Sequence, residues 1–422
     1  MRLLATVFIF ILPMYLFSQE EDSRKNKDFV FTPEILVGIT AEANSFFPEH
    51  EFQKQVMLNF GWNHDNNAME WAHRLKGPRT GFSLGYANFG NKDSLGIALS
   101  LMPFVEFDAF GSKNLNVHIG SGISYFNKIF HPITNPNNQA VSTDLSWSLR
   151  ASMNYRLIRS ENLDWRVGAG FFHHSNGHTR LPNQGYNSFL FSLSADIKNL
   201  SKSEKEKPEL QDLSFPKSVY SYVSFRSGVG INVLSKVHSD KKGAYTIAGE
   251  YGQVFNNTLK LGVGFYYRFY QNYYDYIIDN ESLVQDGREF DFFRNDPWRY
   301  ATNFGLSLKG EVLFNHIGVE LQLGFNLHKP AYAIDWRINQ GWANVPRIIP
   351  ENSNIVLGEF DSKYRIKHLV SAHIGLKYYL IGTNKVPKNN FYLGAHINTN
   401  LGQADFTELS VGYVYSFNFK ER

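Results

Sequence analysis

The 422-residue chain has no cysteine. That excludes disulfides, thiolate catalysis, cysteine metal centres and the acylated N-terminal cysteine of a lipoprotein. It has little net charge, +3 with histidines neutral, which argues against a nucleic-acid partner. Beyond Phe17 it has no apolar run of the roughly eighteen residues that a membrane-crossing helix needs. Aromatic residues, by contrast, make up 16% of the chain, although its mean hydropathy is negative. Such a pairing suits a wall whose strands face lipid on one side and water on the other. At the start, Met1-Arg2 precedes the apolar run Leu3–Phe17 and then Ser18-Gln19-Glu20. One positive charge, a short apolar core broken by Pro13 and a small residue before a polar turn predict a secretory signal peptide over 1–18, not an anchor.

Period-2 alternation recurs along the chain. Leu259, Leu261, Val263, Phe265, Tyr267 and Phe269 share one face, with Thr258, Lys260, Gly262, Gly264, Tyr266 and Arg268 on the other. The last such segment sets Leu409, Val411, Tyr413, Tyr415, Phe417 and Phe419 against Ser410, Gly412, Val414, Ser416 and Asn418. Segments of this length with aromatic ends predict an all-β fold, a transmembrane antiparallel β-barrel of about 14–16 strands. The strands fall near 30–43, 53–62, 79–88, 93–108, 114–127, 143–158, 163–175, 186–198, 217–234, 242–254, 257–269, 299–312, 315–328, 363–380, 389–399 and 406–419. An even count puts both ends in the periplasm and the long segments 128–142, 270–298 and 329–362 outside the cell. Two long segments then break the rule of short periplasmic turns: 63–78, where AMEWAHRLKGP suits a short helix, and the charged 199–216. The tyrosine-rich run Tyr266–Tyr276 reads as an interface girdle continuing into a loop.

The charged segment divides the chain into a region 19–198, a linker 199–216 and a second region 217–422. Trp165–Ala169 resembles Phe391–Ala395, each in the seventh strand of its half, so the second region reads as a degenerate repeat. Two architectures follow, one closed barrel or two tandem eight-stranded barrels. One cylinder leaves fewer sheet edges to seal and is the preferred expectation.

The stretch FFHHSNGHTRLPNQGYN, Phe171–Asn187, carries the candidate chemistry. Residues i and i+2 of a strand point the same way. His173 and Ser175 therefore top a face that also bears Phe171, Ala169, Val167 and Trp165. A serine hydroxyl needs a base to take its proton, and the base needs a partner that fixes its tautomer. In the next strand Asn187 heads the apolar face of Phe189, Phe191 and Leu193, beside His173. Asn176 and Asn183 in the connecting loop are candidate oxyanion donors. His174 points to the lumen, His178 and Arg180 read as solvated loop residues, and adjacent histidines on a strand point apart, so no metal is expected.

His173-His174-Ser175-Asn176 followed by Pro182-Asn183-Gln184-Gly185 resembles the His-x-Ser-Asn and Pro-Asn-x-Gly motifs of the outer-membrane lipid A deacylase family, also called acyloxyacyl hydrolases. The resemblance covers roughly residues 30–198, Gly81–Phe107 included. It implies Ser175 as nucleophile, His173 as base and Asn183 near the oxyanion, on an eight-stranded barrel, with no cofactor. The implied partners are lipid A, as lipopolysaccharide, and outer-membrane lipids, with a homodimer open. The family's acid falls at position 187, which is Asn187 here. Asn can hold the imidazole but cannot neutralise an imidazolium, and Asp144 points the wrong way to replace it. The expected function is an outer-membrane serine esterase that removes an acyl chain from lipid A. The alternative is a non-catalytic channel or structural barrel that retains a relic of the motif.

Overall fold

A computed structural model describes residues 28–109, 114–198, 214–339 and 361–421. The expected signal peptide and most of the charged linker lie outside the described residues. Among the described residues sixteen strands form, each antiparallel to the strands beside it in its own barrel. They are β1 (Asp28–Ala41), β2 (Gln53–Asn63), β3 (Arg79–Asn88), β4 (Ile97–Asp108), β5 (Leu115–Phe126), β6 (Leu145–Arg159), β7 (Leu163–Ser175) and β8 (Tyr186–Ile197). β9 (Ser218–Asn232), β10 (Lys242–Phe255), β11 (Leu259–Tyr270), β12 (Thr302–Phe314), β13 (Ile317–His328), β14 (Val370–Tyr379), β15 (Asn389–Asn400) and β16 (Gln403–Glu421) follow.

These strands close as the tandem pair, not as the single cylinder that edge-counting favoured. β1 pairs with β8 from Phe31↔Ile197 to Ala41↔Asn187, and β9 pairs with β16 from Ser218↔Glu421 to Ile231↔Thr407. Each half therefore seals its own edges, and the edge argument no longer distinguishes the two arrangements.

Alternation decides which side of each wall meets lipid. In β11, Leu261 is 45% exposed on the outside while its neighbour Lys260, in the lumen, is 3% exposed. Apolar outside and charged inside is the reverse of a water-soluble fold and fits a wall crossing a bilayer. Among the described residues no helix is long and apolar enough to cross a membrane, so strands do the spanning.

Both lumens are filled. In the first barrel Arg150 pairs with Glu34 at 2.7 Å, Arg166 with Glu106 at 2.9 Å and Arg79 with Asp196 at 3.1 Å. In the second, Lys309 pairs with Glu250 at 3.0 Å, Lys377 with Glu311 at 3.0 Å and with Glu320, and Arg226 with Glu408 at 2.7 Å. Buried charges are tolerable only when paired in this way. Tyr222, Tyr379 and Tyr392 pack across the short-turn end of the second lumen.

At the long-loop end two sequence expectations change. The tyrosine run does not continue outward as a girdle. β11 stops at Tyr270, a helix α2 (Gln271–Ile278) turns over the barrel mouth, and Tyr273 and Tyr276 pack with Phe290, Phe293 and Ile334. Residues 363–369, expected in β14, belong to a helix (Asp361–Leu369), α4, whose Lys367 donates to Gln403 Oε1 at 2.6 Å. Tyr364 and Ile366 alternate with charged neighbours as in a strand, but the chain joins the barrel wall only from Val370.

The barrels touch at both ends. At the short-turn end the 63–78 segment carries helix α1 (Glu70–Arg74). Trp71 packs edge-on to Phe314, 5.6 Å between ring centres, and Asn257 Nδ2 donates to Glu70 Oε2 at 2.7 Å. Arg74 donates to the carbonyls of Phe215 and Pro216, at the entry to β9. At the long-loop end Lys236 Nζ donates to Gln139 Oε1 at 2.9 Å, and Thr407 Oγ1 donates to the Gly177 carbonyl at 3.2 Å.

Candidate active site

The site stands where β7 ends. Register does the placing. His173 sits directly opposite Asn187 across the β7–β8 ladder, and Ser175 opposite Trp147 across β6–β7. Directly paired positions bring side chains within contact, and His173 Nδ1 meets Asn187 Oδ1 at 2.8 Å. An amide oxygen can only accept, so this bond puts the proton on Nδ1 and leaves Nε2 as the basic nitrogen. Phe171, two residues below, stacks parallel to the His173 ring, 6.5 Å between centres.

Ser175 shares the outward parity of His173 but is buried. Two donors hold its Oγ: Gly177 N–H at 3.2 Å and Asn183 Nδ2 at 3.3 Å. They fill the two lone pairs of the hydroxyl and leave its own proton to be given away. His173 and Ser175 make no hydrogen bond to each other in this ligand-free arrangement.

Asn183, expected near the oxyanion, here donates to the serine hydroxyl itself. Its Oδ1 also accepts the Asn176 backbone N–H at 2.9 Å, which ties the far side of the loop to the serine. Asn176, expected as a second oxyanion donor, is committed elsewhere. Its Nδ2 donates to Ser142 Oγ at 3.1 Å and to the Arg180 carbonyl at 2.7 Å. With both amide hydrogens used and its backbone N–H on Asn183, Asn176 shapes the loop instead.

Three features were not read from the sequence. Gly177 has a positive φ of 64°, and a Cβ there would overlap Thr407 Oγ1 of the second barrel. Gly185, also at positive φ, packs under the base: a Cβ would lie 2.7 Å from His173 Cε1. Ser142, in the long β5–β6 connection, anchors Asn176. Gly177 follows the motif directly, so a glycine between two polar residues was the available signal. Nothing local in the sequence pointed to Ser142 or Thr407.

His174 bonds Ser148 in the lumen at 2.8 Å, as its parity implied. Arg180 is exposed, but His178 is buried rather than solvated. Asp335, on helix α3 (Tyr332–Asn339), is the carboxylate whose field reaches it. Asp144 is exposed and makes no bond to His173.

Among the described residues one group could offer metal ligands: Glu320, His373 and His396, with donor atoms within 4.8 Å of one another. It lies in the lumen of the second barrel, and the Lys377 ammonium already neutralises Glu320, a poor setting for a further cation.

A serine hydroxyl, an imidazole and amide groups thus gather on the outer rim of one barrel. Residues 56–196 match the lipid A 3-O-deacylase (PagL) family. The match ends within β8, before the second barrel begins. No curated protein matches the chain. Among solved structures, the crystal structure of the outer membrane enzyme PagL is 17% identical, covering 39% of this chain and 97% of that one, with a TM-score of 0.29. A de novo designed transmembrane β-barrel is 13% identical, covering 40% and 94%, with a TM-score of 0.21. OccD3 (OpdP) of Pseudomonas aeruginosa is 8% identical, covering 93% and 92%, with a TM-score of 0.20. Superpositions this loose carry no argument about function, which rests on the residues of the site.

Proposed function

We propose that the first barrel is an outer-membrane serine esterase that hydrolyses an ester-linked acyl chain of lipid A. Because the matched family acts at the 3-O position, the same ester is proposed as the scissile bond. Ser175 Oγ attacks the ester carbonyl while His173 Nε2 takes its proton. The negative charge that develops on the carbonyl oxygen is met by Asn183 Nδ2 and the Gly177 N–H, which rest on Ser175 Oγ in the free protein and must pass from it to the oxyanion as the serine attacks. The tetrahedral intermediate collapses to an acyl-Ser175, and His173 returns the proton to the departing sugar hydroxyl. Water, deprotonated by His173, then releases the fatty acid and regenerates the serine. Asn187 holds the ring through both steps. Since it cannot balance the imidazolium charge as a carboxylate would, turnover is expected to be slow.

Catalytic hydrogen bonds commonly tighten only when substrate arrives, so the unmade His173–Ser175 bond is consistent with this reading. The observation that carries it is the double engagement of Ser175 Oγ by amide donors beside an imidazole whose basic nitrogen is fixed by Asn187. The site lies on the outer face, so a lipid reaches it laterally without entering a lumen. Mass spectrometry of lipid A from cells expressing wild type or Ser175→Ala tests the proposal. One acyl chain should be missing with wild type only. Unchanged lipid A in the presence of folded wild-type protein would leave a non-catalytic barrel.

A further inference from the structure

We propose that Thr407 of the second barrel is a positioning residue for the nucleophile of the first. The inference rests on the esterase reading above, and deepens it by assigning the second barrel a part in the same site. A short polar path links the two barrels. Thr407 Oγ1 donates to the Gly177 carbonyl at 3.2 Å, and the Gly177 N–H donates to Ser175 Oγ at 3.2 Å. The residue that gives the serine a backbone donor is thus held at its carbonyl from the other barrel.

The segment needs such holding. Gly177 and His178 both have positive φ, 64° and 68°. For a non-glycine residue this conformation is unfavourable and persists only where its surroundings impose it. Here they come from both barrels: Trp147 and the Asn176–Thr179 turn on the first, and Thr407 on the second. Thr407 closes on Gly177 so tightly that a Cβ would not fit. Buried His178, whose Nε2 has no hydrogen-bond partner among the described residues, lies in the field of Asp335. Burial raises the Asp335 carboxyl, and the nearby His178 opposes that rise.

Thr407 is well mounted for the task. It belongs to β16 and pairs with Ile397 on one side and Ile231 on the other. A side chain on a doubly paired strand holds its place better than one on a loop. The contacts of Glu70 with Asn257 and of Trp71 with Phe314 pin the barrels together at the opposite end. Two points of attachment, one at each end, stop the second barrel from swinging away from Gly177.

The test uses the full-length protein, purified in detergent micelles, with lipid A as substrate. Thr407→Val keeps the shape and removes the donor; Thr407→Ala removes the donor and relaxes the contact; Thr407→Ser keeps the hydroxyl. Folding is checked by the shift of unheated barrel on a gel. Both donorless variants should lower kcat roughly tenfold with KM within about twofold, because small displacements of catalytic donors act on the chemical step. Thr407→Ser should restore most of the rate. A purely structural role would not be rescued by a hydroxyl alone. Wild-type kcat in either folded donorless variant, with Ser175→Ala inactive, overturns the proposal and leaves the esterase standing. A wild type that releases no fatty acid overturns both.

Discussion

The two barrels differ most where they correspond most closely, at their final hairpins. β7 runs into residues 176–185 before β8 begins, whereas β15 turns into β16 through Leu401-Gly402 alone. Both residues of that turn have positive φ, 49° and 86°, the geometry of a tight two-residue hairpin. On the register that aligns Trp165–Ala169 with Phe391–Ala395, Thr399 stands for His173 and Leu401 for Ser175. The wall is the same, but the second barrel has no loop in which Asn183 or Gly177 could have a counterpart. Its hairpin instead reaches the first barrel through Thr407. One rim of an eight-stranded wall thus becomes a site by growing a loop, and the other becomes a support by staying short.

The sharpest way to break that contrast is to move the serine. Ser175→Ala should lower deacylation by about a thousandfold or more, since nucleophile removal disables the whole constellation. Adding Leu401→Ser in the Ser175→Ala background should recover nothing, measured as fatty acid released from lipid A. Recovery would mean that the second rim retains a working base and donors, and that loop length is not the deciding difference.

The lumens offer a second contrast. The first barrel balances its acids chiefly with arginines (Arg79, Arg150, Arg166), the second largely with lysines (Lys260, Lys309, Lys377). Arg150→Met leaves Glu34 buried with the neutral partners Asn59 and Ser192. Breaking one side of such a pair costs about 3–5 kcal/mol. Urea unfolding should show the first barrel's transition moved to lower denaturant and the second unmoved. A single transition shifted as a whole would show that the barrels unfold as one unit.

Much of this was legible beforehand. Strand positions followed from alternation that the bilayer enforces on every wall residue, and β3 and β7 begin and end where the pattern placed them. The pairing of His173 with Asn187 was legible because parity and a hairpin fix cross-strand neighbours. Closure was not, because alternation describes a wall and says nothing about which strand meets which at the seam. The unexpectedly long 63–78 turn shows the same limit. It looked like an exception to the short-turn rule, and in the structure it is the bracket that carries Glu70 and Trp71 to the second barrel. His178 was misread as solvated for the same reason: the Asp335 carboxylate whose charge it meets lies more than 150 residues away in sequence. Contacts between barrels leave no periodic trace.

A smaller effect is expected at the partner of the base. Asn187→Glu supplies the charge that an amide lacks, and should raise kcat by roughly tenfold if imidazolium formation limits turnover. The Glu side chain is one methylene longer than Asn, so its carboxylate reaches His173 Nδ1 through a different rotamer rather than by replacing the 2.8 Å bond atom for atom. The gain should appear in kcat and not in KM. An unchanged or lower rate would place the limiting step elsewhere, in product release or in the entry of lipid beside the second barrel.

The weakest lever is the contact farthest from the serine. Asn257→Ala removes the donor to Glu70 at the short-turn end but leaves Trp71 against Phe314. A partly exposed hydrogen bond to a charged group contributes about 1–2 kcal/mol locally, and only part of any loosening there reaches Gly177. The expected fall in kcat is about twofold, with no change in KM. Thr407→Val should already uncouple the barrels at the site, so adding Asn257→Ala to it should lower kcat no further. A double variant slower than either single change would mean that the two ends act on Ser175 by separate routes. The mount at the short-turn end would then serve the loop through barrel 1 itself rather than through Thr407.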